Sequence, residues 1–286
     1  MKLKNSTKDI FITAKPFSEK LSKYISYYYF HSSEEKNYYK RFEFYPNYKH
    51  ALTAYKNSQI TIQNKGTIIT PTEKSNISVL YSINKNRNFK VEINGAFQKI
   101  GVVFNPLGIN HFIDKDLEEI FSGEINNFAY FEEELNKVLK KVFYEDKTDK
   151  KVKLLDDFFE KKYIGFSENS LQKAIQKIIT SHGTIQVAEL SKKINTNRRA
   201  LLRLFKKHTT LTIKEYQKLV RFRQAFNYFN ENKKEINLTD VALYSMYYDQ
   251  AHFIKHFKSI TKETPKTLLY KISHIGKEDT YWYFKE

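Results

Sequence analysis

The chain contains no glycine between Gly183 and Gly276, and only one proline, Pro265, in that stretch. Because glycine and proline most often interrupt helices, this composition favours continuous helical structure. Apolar residues recur there at helical spacing. The pattern predicts helices near 170–181, 186–194, 198–207, 212–230, 238–245, 249–260 and 265–271. We therefore expect an all-α domain over residues 166–275, followed by an aromatic C-terminal tail over residues 276–286.

The N-terminal part, residues 1–165, follows a different hydrophobic period. Apolar and polar residues alternate along candidate strands at 59–63, 67–70, 77–83, 89–94 and 100–104. This period predicts a small antiparallel β-barrel or β-sandwich, with strands over about 40–105. The chain is thus expected to be an α+β protein of two domains, with a β-barrel or sandwich-like N-terminal domain and trailing helices.

The trailing helices are expected over about 114–163, where the spacing of apolar residues becomes helical. Two amphipathic stripes are visible in this region. They consist of Leu135, Val138, Leu139, Val142 and Phe143 on one helix, and of Val152, Leu155 and Phe159 on the next. Such stripes pack on their own domain or on a second copy of the chain, and the sequence leaves both alternatives open.

Charge and composition restrict the classes of function. The 286 residues carry a net charge of +17, which favours polyanionic partners such as nucleic acid. The absence of cysteine excludes disulfides, thiolate zinc sites and thiol catalysis. No apolar run reaches the length of a membrane helix, and the N-terminus lacks the apolar core of a signal peptide. These features predict a cytoplasmic, nucleoid-associated protein that does not bind membranes.

A helix-turn-helix motif is indicated by residues 187–205. Asn195 and Thr196 suit a tight turn because asparagine tolerates positive φ, and Asn197 is a favourable N-cap for the next helix. That helix would bury Leu201, Leu204 and Phe205. The side chains that it would expose are Arg198, Arg199, Leu202, Arg203 and Lys206. A basic second helix after a brief turn is typical of a DNA-reading motif.

The pattern recurs about fifty residues later along the chain. Val241, Ala242 and Tyr247 correspond to the first helix and turn of the earlier motif. Asp249 is placed to cap a second helix, which would bury Phe253 and Phe257. The exposed side chains would be Gln250, His252, Lys255, His256 and Lys258. A long helix between the motifs offers Tyr216, Leu219, Val220 and Phe226 to both.

These two motifs and their connecting helix resemble the DNA-binding domain of AraC-type (AraC/XylS) transcription regulators. The first match runs from Ala188-Glu-Leu to the Asn197–Lys206 segment. The second match is Val241-Ala242, then Tyr247-Tyr-Asp-Gln-Ala-His-Phe-Ile-Lys-His-Phe-Lys258, followed by Thr264-Pro265. More weakly, Gly101-Val-Val-Phe-Asn-Pro-Leu-Gly108 resembles a segment in the N-terminal domain of one AraC-type subgroup.

The sequence departs from the family at positions where the chain turns. The family usually has glycine at the positions of Asn195, Thr210, Met246 and Lys262. It usually has proline at Arg198 and Ile213, and arginine at Lys255. Loss of glycine costs stability wherever the backbone needs a positive φ. The hydrophobic pattern is unaffected, so the expected fold is the same.

The resemblance implies that two recognition helices, about 198–207 and 249–260, enter successive major grooves of an asymmetric double-stranded DNA site. Arginine can bridge O6 and N7 of guanine, and glutamine can read adenine. Base-edge contacts are expected from Arg199, Leu202, Arg203, Gln250, Ala251, His252 and Lys255. Phosphate or solvent contacts are expected from Arg198, Lys206, Lys207, His256 and Lys258.

The family resemblance also implies a function for residues 1–165, namely sensing of a small-molecule effector, homodimerisation, or both. As an activator the protein would contact RNA polymerase, and as a repressor it would not need to. The first alternative function is a nonspecific or architectural DNA-binding protein. It is motivated by the high charge and the missing turn glycines, and it would bind any sequence with steep salt dependence.

The second alternative is an enzyme with a barrel active site. Metal catalysis would need clustered histidine and carboxylate ligands, but the 8 histidines are scattered and no His-x-His pair lies on a candidate strand. His252 and His256 share a helix face, without a glutamate between them that could act as a general base. We therefore predict no catalytic residue, no cofactor and no metal site.

Overall fold

The computed structural model describes residues 9–63, 66–83, 88–121, 123, 125–232, 237–274 and 282–284. Its strands are β1 (Ile10–Ala14), β2 (Ile25–Ser33), β3 (Tyr39–Phe44), β4 (His50–Lys56), β5 (Ser58–Gln63), β6 (Gly66–Pro71), β7 (Ile77–Ser82), β8 (Phe89–Asn94), β9 (Phe97–Phe104), β10 (Ile125–Asn127), β11 (Ile272–His274) and β12 (Trp282–Phe284). Its helices are α1 (Glu19–Ser22), α2 (Leu117–Ile120), α3 (Glu132–Tyr144), α4 (Thr148–Lys162), α5 (Asn169–Thr180), α6 (Val187–Lys193), α7 (Arg198–Thr209), α8 (Ile213–Glu231), α9 (Leu238–Tyr244), α10 (Gln250–Thr261) and α11 (Pro265–Lys271).

The first sheet is antiparallel and has the strand order β1-β2-β9-β4-β7-β10. Its interior strands β2 and β9 bury nearly every side chain because the sheet is covered on both faces. Gly101 of β9 lies under the ring of Tyr29, where an added Cβ would be 1.7 Å from a ring atom. Glycine at this position therefore allows a buried tyrosine to cross the neighbouring strand.

The second sheet has the order β11-β12-β3-β8-β6-β5 and packs face to face with the first. Phe89, Val91 and Ile93 of β8 point into the core between the sheets, in agreement with the predicted alternation. The strand pairs are antiparallel except for β6 and β8, which run parallel. The predicted antiparallel arrangement therefore does not hold at this pair.

The two sheets form a sandwich, and the described residues do not close a barrel. The sandwich alternative is thus confirmed and the barrel alternative is wrong. Each predicted strand is present, but β1 and β2 lie before the predicted strand region. Strand β12, near the C-terminus, pairs with β3 of the second sheet and places Trp282 opposite Glu43. The sequence did not suggest this pairing.

Helices α3 and α4 cover the outer face of the first sheet. Their predicted apolar stripes are confirmed, because Leu135, Leu139 and Val142 of α3 are buried in the same core as β2 and β9. Val152, Leu155 and Phe159 of α4 join that core. These stripes pack on their own chain, so they do not offer an apolar face to a second copy.

A buried carboxylate holds the start of the chain against α4. Asp156 is buried and accepts hydrogen bonds from the backbone N–H groups of Phe17 (2.8 Å) and Ser18 (3.1 Å). It also accepts one from the Tyr28 hydroxyl at 2.7 Å. Because a buried carboxylate needs partners for its lone pairs, this arrangement fixes the segment that leads into α1.

The C-terminal part has two apolar cores that share helix α8. The N-terminal half of α8 supplies Tyr216, Leu219 and Val220 to the first core, with α5, α6 and α7. The C-terminal half supplies Phe222, Phe226 and Phe229 to the second core, with α9 and α10. The seven predicted helices are confirmed to within about two residues at each end. The predicted role of the long helix in joining two motifs is likewise confirmed.

The loop between β3 and β4 connects the sandwich to α8. Tyr45 lies in the second helical core, with its ring centroid 5.5 Å from that of Phe226. Tyr48 packs near Tyr216, with ring centroids 6.4 Å apart. Two tyrosines of one loop therefore contact both halves of the helix that joins the two motifs.

Candidate nucleic-acid interface

The first helix-turn-helix unit consists of α6, a tight turn and α7. Asn195 has a φ of 52°, as the predicted turn requires. The side chain of Asn197 accepts a hydrogen bond from the N–H of Ala200 at 2.8 Å and so caps α7. Leu201 and Phe205 are fully buried and fix the helix against the first core. The sequence prediction of the turn and the cap is confirmed here.

The opposite side of α7 is exposed and basic. The exposed side chains are Arg198, Arg199, Leu202, Arg203 and Lys206. Arg199, Arg203 and Lys206 are spaced by four and three residues, so they share one face of the helix. Leu202 is 40% exposed on the adjacent position. The structure therefore brings the predicted base-contacting residues of this unit together on one open surface.

Lys207 and His208, at the end of α7, face the N-terminal part of the chain. Helix α2 packs against α7 there, and the Lys207 Nζ lies 2.9 Å from a carboxylate oxygen of Asp116. This ion pair raises the pKa of the Lys207 amine. The predicted phosphate or solvent role of Lys207 stays a prediction, and in this structure its charge is paired with Asp116. The ion pair joins residues 91 positions apart, and no local pattern indicates it.

The second unit consists of α9, a tight turn and α10. Asp249 caps α10 as predicted, accepting a hydrogen bond from the N–H of His252 at 2.7 Å. Phe253 and Phe257 are buried in the second core, as the apolar spacing predicts. The predicted contact residues that remain exposed on α10 are Gln250, Ala251, His252, Lys255 and Lys258.

His256 does not lie on this exposed surface. Its Nδ1 atom is 2.6 Å from the hydroxyl oxygen of Tyr247, and the ring is half-buried. Burial, together with the nearby cations Arg221 and Lys218, lowers the pKa of His256 to about 4. The ring is therefore neutral at pH 7. The predicted phosphate or solvent contact of His256 stays a prediction, and in this structure the ring is hydrogen-bonded to Tyr247.

The four turn positions where the family usually has glycine all adopt the left-handed conformation. The φ values are 52° at Asn195, 60° at Thr210, 58° at Met246 and 65° at Lys262. Thr210 and Lys262 are the C-caps of α7 and α10. Residues with a Cβ are strained in this region, least so for asparagine. The expected need for positive φ at these positions is confirmed.

We expect Met246→Gly to raise the free energy of unfolding by about 1 kcal/mol, because glycine relieves the left-handed strain. Met246 is 60% exposed, so little packing is lost. The matched control is Leu243→Gly, which replaces a side chain that is 63% exposed in α9. That change should lower the free energy of unfolding by about 1 kcal/mol, because glycine disfavours the helix. Urea unfolding of the full chain measures both, and a loss of stability in Met246→Gly would contradict the strain argument.

A small cavity lies between the two sheets, with a volume of about 60 Å³. Apolar and aromatic side chains such as Tyr29, Phe44 and Val91 line most of it. Lys49 and Asn47 contribute polar groups on one side, from the loop that also carries Tyr45. A space of this size holds only a small group unless the sheets move apart.

Histidine and carboxylate side chains are possible metal ligands. No group of three or more histidine, aspartate and glutamate side chains in those residues has the geometry to hold a metal ion. His252 and His256, which share a face in the sequence, do not act as a pair because His256 is bonded to Tyr247. Across the described helices, none is long and apolar enough to cross a membrane.

Two helix-turn-helix units that share one long helix define the C-terminal part as a double helix-turn-helix domain. Residues 190–270 match a family model described as "Helix-turn-helix domain". The chain is also similar to the Msm operon regulatory protein of Streptococcus mutans serotype c, with 32% identity over 93 residues. This match covers 32% of the chain and 33% of the relative, so it spans about a third of either protein. These matches support the resemblance to AraC-type regulators that was noted in the sequence of the C-terminal part.

Solved structures with similar coordinates include two of ToxT from Vibrio cholerae. The first is 13% identical, covers 93% of this chain and 98% of that chain, and has a TM-score of 0.45. The second, of ToxT bound to an unsaturated fatty acid, is 13% identical. It covers 96% of this chain and 100% of that chain, and has a TM-score of 0.47. A probable AraC family transcriptional regulator from Rhodopseudomonas palustris is 18% identical. It covers 36% of this chain and 96% of that chain, and has a TM-score of 0.32.

Proposed function

We propose that the protein is a sequence-specific regulator of transcription that binds double-stranded DNA through residues 166–275. The observation that carries this proposal is the pair of capped helices, α7 and α10, each exposing cationic and hydrogen-bonding side chains on a rigid helical frame. Such a helix fits the major groove and presents its N-terminal half to base edges. The similar streptococcal protein is an operon regulatory protein, which supports the assignment.

The proposed contacts divide into those that read bases and those that neutralise phosphates. In α7, Arg199 and Arg203 would contact guanine, and Leu202 would contact a thymine methyl group. In α10, Gln250 would read adenine, with Ala251, His252 and Lys255 beside it. Phosphate contacts are assigned to Arg198, Lys206 and Lys258. The two helices differ in sequence, so the two half-sites should differ, and their centres should lie roughly 34 Å apart.

Selection of random double-stranded DNA by the full chain tests this function. The expected result is an enriched asymmetric site with two short elements about one helical turn apart. Binding without enrichment, with affinity that falls steeply with salt, would instead support the nonspecific or architectural alternative. Absence of binding to any DNA would contradict both. The same selection repeated at two salt concentrations separates these outcomes.

We expect Asp116→Asn to make DNA binding more dependent on salt. The change frees the Lys207 amine from its ion pair, so that it can neutralise one more phosphate. The slope of log affinity against log salt should become more negative by about 0.9. The matched control is Asp157→Asn, which breaks the Lys153–Asp157 ion pair on α4 and removes the same charge. An equal change of slope in both variants would show that only net charge matters.

For residues 1–165 we propose a sensing role, with a small molecule binding in the cavity between the sheets. Support comes from the aromatic lining of the cavity and from the loop of residues 45–49, which reaches both the cavity and α8. The same proposal includes homodimerisation. If the protein activates transcription, the proposal also includes contact with RNA polymerase. Thermal unfolding of the full chain with candidate ligands tests the sensing role, and an unchanged Tm throughout a broad panel would count against it.

A further inference from the structure

Arg221 lies on α8 at the junction of the two helix-turn-helix units. Its guanidinium donates a hydrogen bond to the carbonyl oxygen of Gly183 at 3.1 Å, in the turn that precedes α6. The guanidinium carbon is also 5.6 Å from the ring centroid of Tyr247, in the turn that precedes α10. One side chain therefore contacts the first unit through a hydrogen bond and the second unit through a cation–π interaction.

The contact continues from Tyr247 to the second recognition helix. Tyr247 is buried, and burial raises the pKa of its hydroxyl, although Arg221 opposes this shift. The hydroxyl therefore stays protonated, and its oxygen is hydrogen-bonded to Nδ1 of the neutral His256 ring, with 2.6 Å between the two atoms. His256 belongs to α10, so a chain of contacts runs from Gly183 through Arg221 and Tyr247 to that helix.

The first end of this chain is held rigidly against α8. Gly183 has a φ of 75°, and an added Cβ would lie 2.3 Å from the carbonyl oxygen of Gln217. The side chain of Gln217 in turn donates a hydrogen bond to the carbonyl oxygen of Ile185. Close backbone packing and a second hydrogen bond leave the turn little freedom to move relative to α8. Any rotation of α10 about α8 must therefore disturb the contacts of Tyr247 with Arg221 or His256.

We propose that Arg221 is a positioning residue that sets the distance and rotation between the two recognition helices, and thereby the spacing of the two half-sites. This inference rests on the proposed sequence-specific binding of DNA. Arg221 is half-buried at the junction and lies outside the exposed faces of α7 and α10, so it acts without reading bases. Recognition of two successive major grooves requires both helices in register, and a loose junction would spread the accepted spacings.

The test uses Arg221→Met, which keeps an unbranched stem but removes the charge and the hydrogen bond. The probes are DNA with both selected elements, DNA with either element alone, and a series in which the spacing changes by one base pair at a time. We expect affinity for the two-element site to fall about 10-fold, with a broadened spacing optimum. Affinity for each single element should stay within about twofold of the wild-type value.

Tyr247→Phe provides a second variant that removes one hydroxyl group and serves if Arg221→Met does not fold. It should broaden the spacing optimum in the same way. The double variant, Arg221→Met with Tyr247→Phe, should broaden the optimum little more than either single change, because both changes break one chain of contacts. Arg203→Ala is the control that weakens every DNA containing the first element without changing the optimum. An unchanged spacing optimum in both junction variants would overturn the inference while leaving the proposed function intact. Failure of the wild-type chain to select any site would overturn both.

Discussion

Replacing Arg203 with alanine should reduce affinity for the selected site by about 10- to 100-fold, because a bidentate arginine–guanine contact is worth about 1–3 kcal/mol. Arg203 is exposed on the central face of α7, while Leu201 and Phe205 on the other side hold the helix in place. The loss should be confined to the element read by α7. Gln250→Ala on α10 should relax the other element only. Quantitative binding to DNA with substitutions in each element measures both effects.

Two control variants separate base reading from charge. Arg203→Lys keeps the charge but cannot form two parallel hydrogen bonds, so it should lose most of the discrimination and little of the nonspecific affinity. Lys173→Ala removes one exposed cation from α5 and should weaken binding to every DNA sequence equally, if at all. If Arg203→Ala weakened all sequences to the same extent, Arg203 would be a phosphate contact rather than a base contact.

Replacing Lys99 with methionine should raise the free energy of unfolding at pH 7 by about 4 kcal/mol. Lys99 is only 2% exposed, in β9, and its Nζ atom lies 5.0 Å from the ring centroid of Phe42. Burial lowers the pKa of this amine to about 7, although Asp9 nearby opposes the shift. The buried position therefore disfavours the charged form, which the unfolded chain holds without cost.

The pH dependence gives the sign of this effect. Between pH 7 and about 10.5 the unfolded chain binds a proton at Lys99 that the folded chain does not, so wild-type stability should rise with pH. The difference in free energy of unfolding between Lys99→Met and wild type should therefore shrink by about 1.4 kcal/mol for each pH unit in that window. Urea unfolding at pH 7, 8 and 9 measures this, with exposed Lys74→Met as the control. A Lys99→Met chain that is less stable than wild type at pH 7 would show that the amine has a favourable role in the sandwich.

The helical half of the fold could be predicted because its signals are local. Caps such as Asn197 and Asp249 lie within three residues of the N–H groups that they bind, and the apolar spacing identifies the buried face. The sandwich was harder to predict. Tyr27 to Phe30 in β2 are all buried, so this strand lacks the alternation that marks a half-exposed strand. The parallel pairing of β6 with β8 likewise depends on contacts between distant segments.

The candidate site divides in the same way. The exposed positions of α7 follow from helical periodicity and are present as predicted. The ion pair of Lys207 and the hydrogen bond of His256 depend on Asp116 and Tyr247, which only the folded chain brings to them. The bridging position of Arg221 could not be predicted from the sequence either, because its partner Gly183 lies 38 residues away.

The sequence by itself determined the type of each half of the protein and most of the exposed surface of α7 and α10, since short-range periodicity, capping and turn residues specify these features. The tertiary structure alone decided which cations are free and which are paired. It also decided how the loop of Tyr45 joins the sandwich to α8 and how the two helix-turn-helix units are held together. Such contacts join residues far apart in the chain, and their energies depend on burial and distance, which exist only after folding.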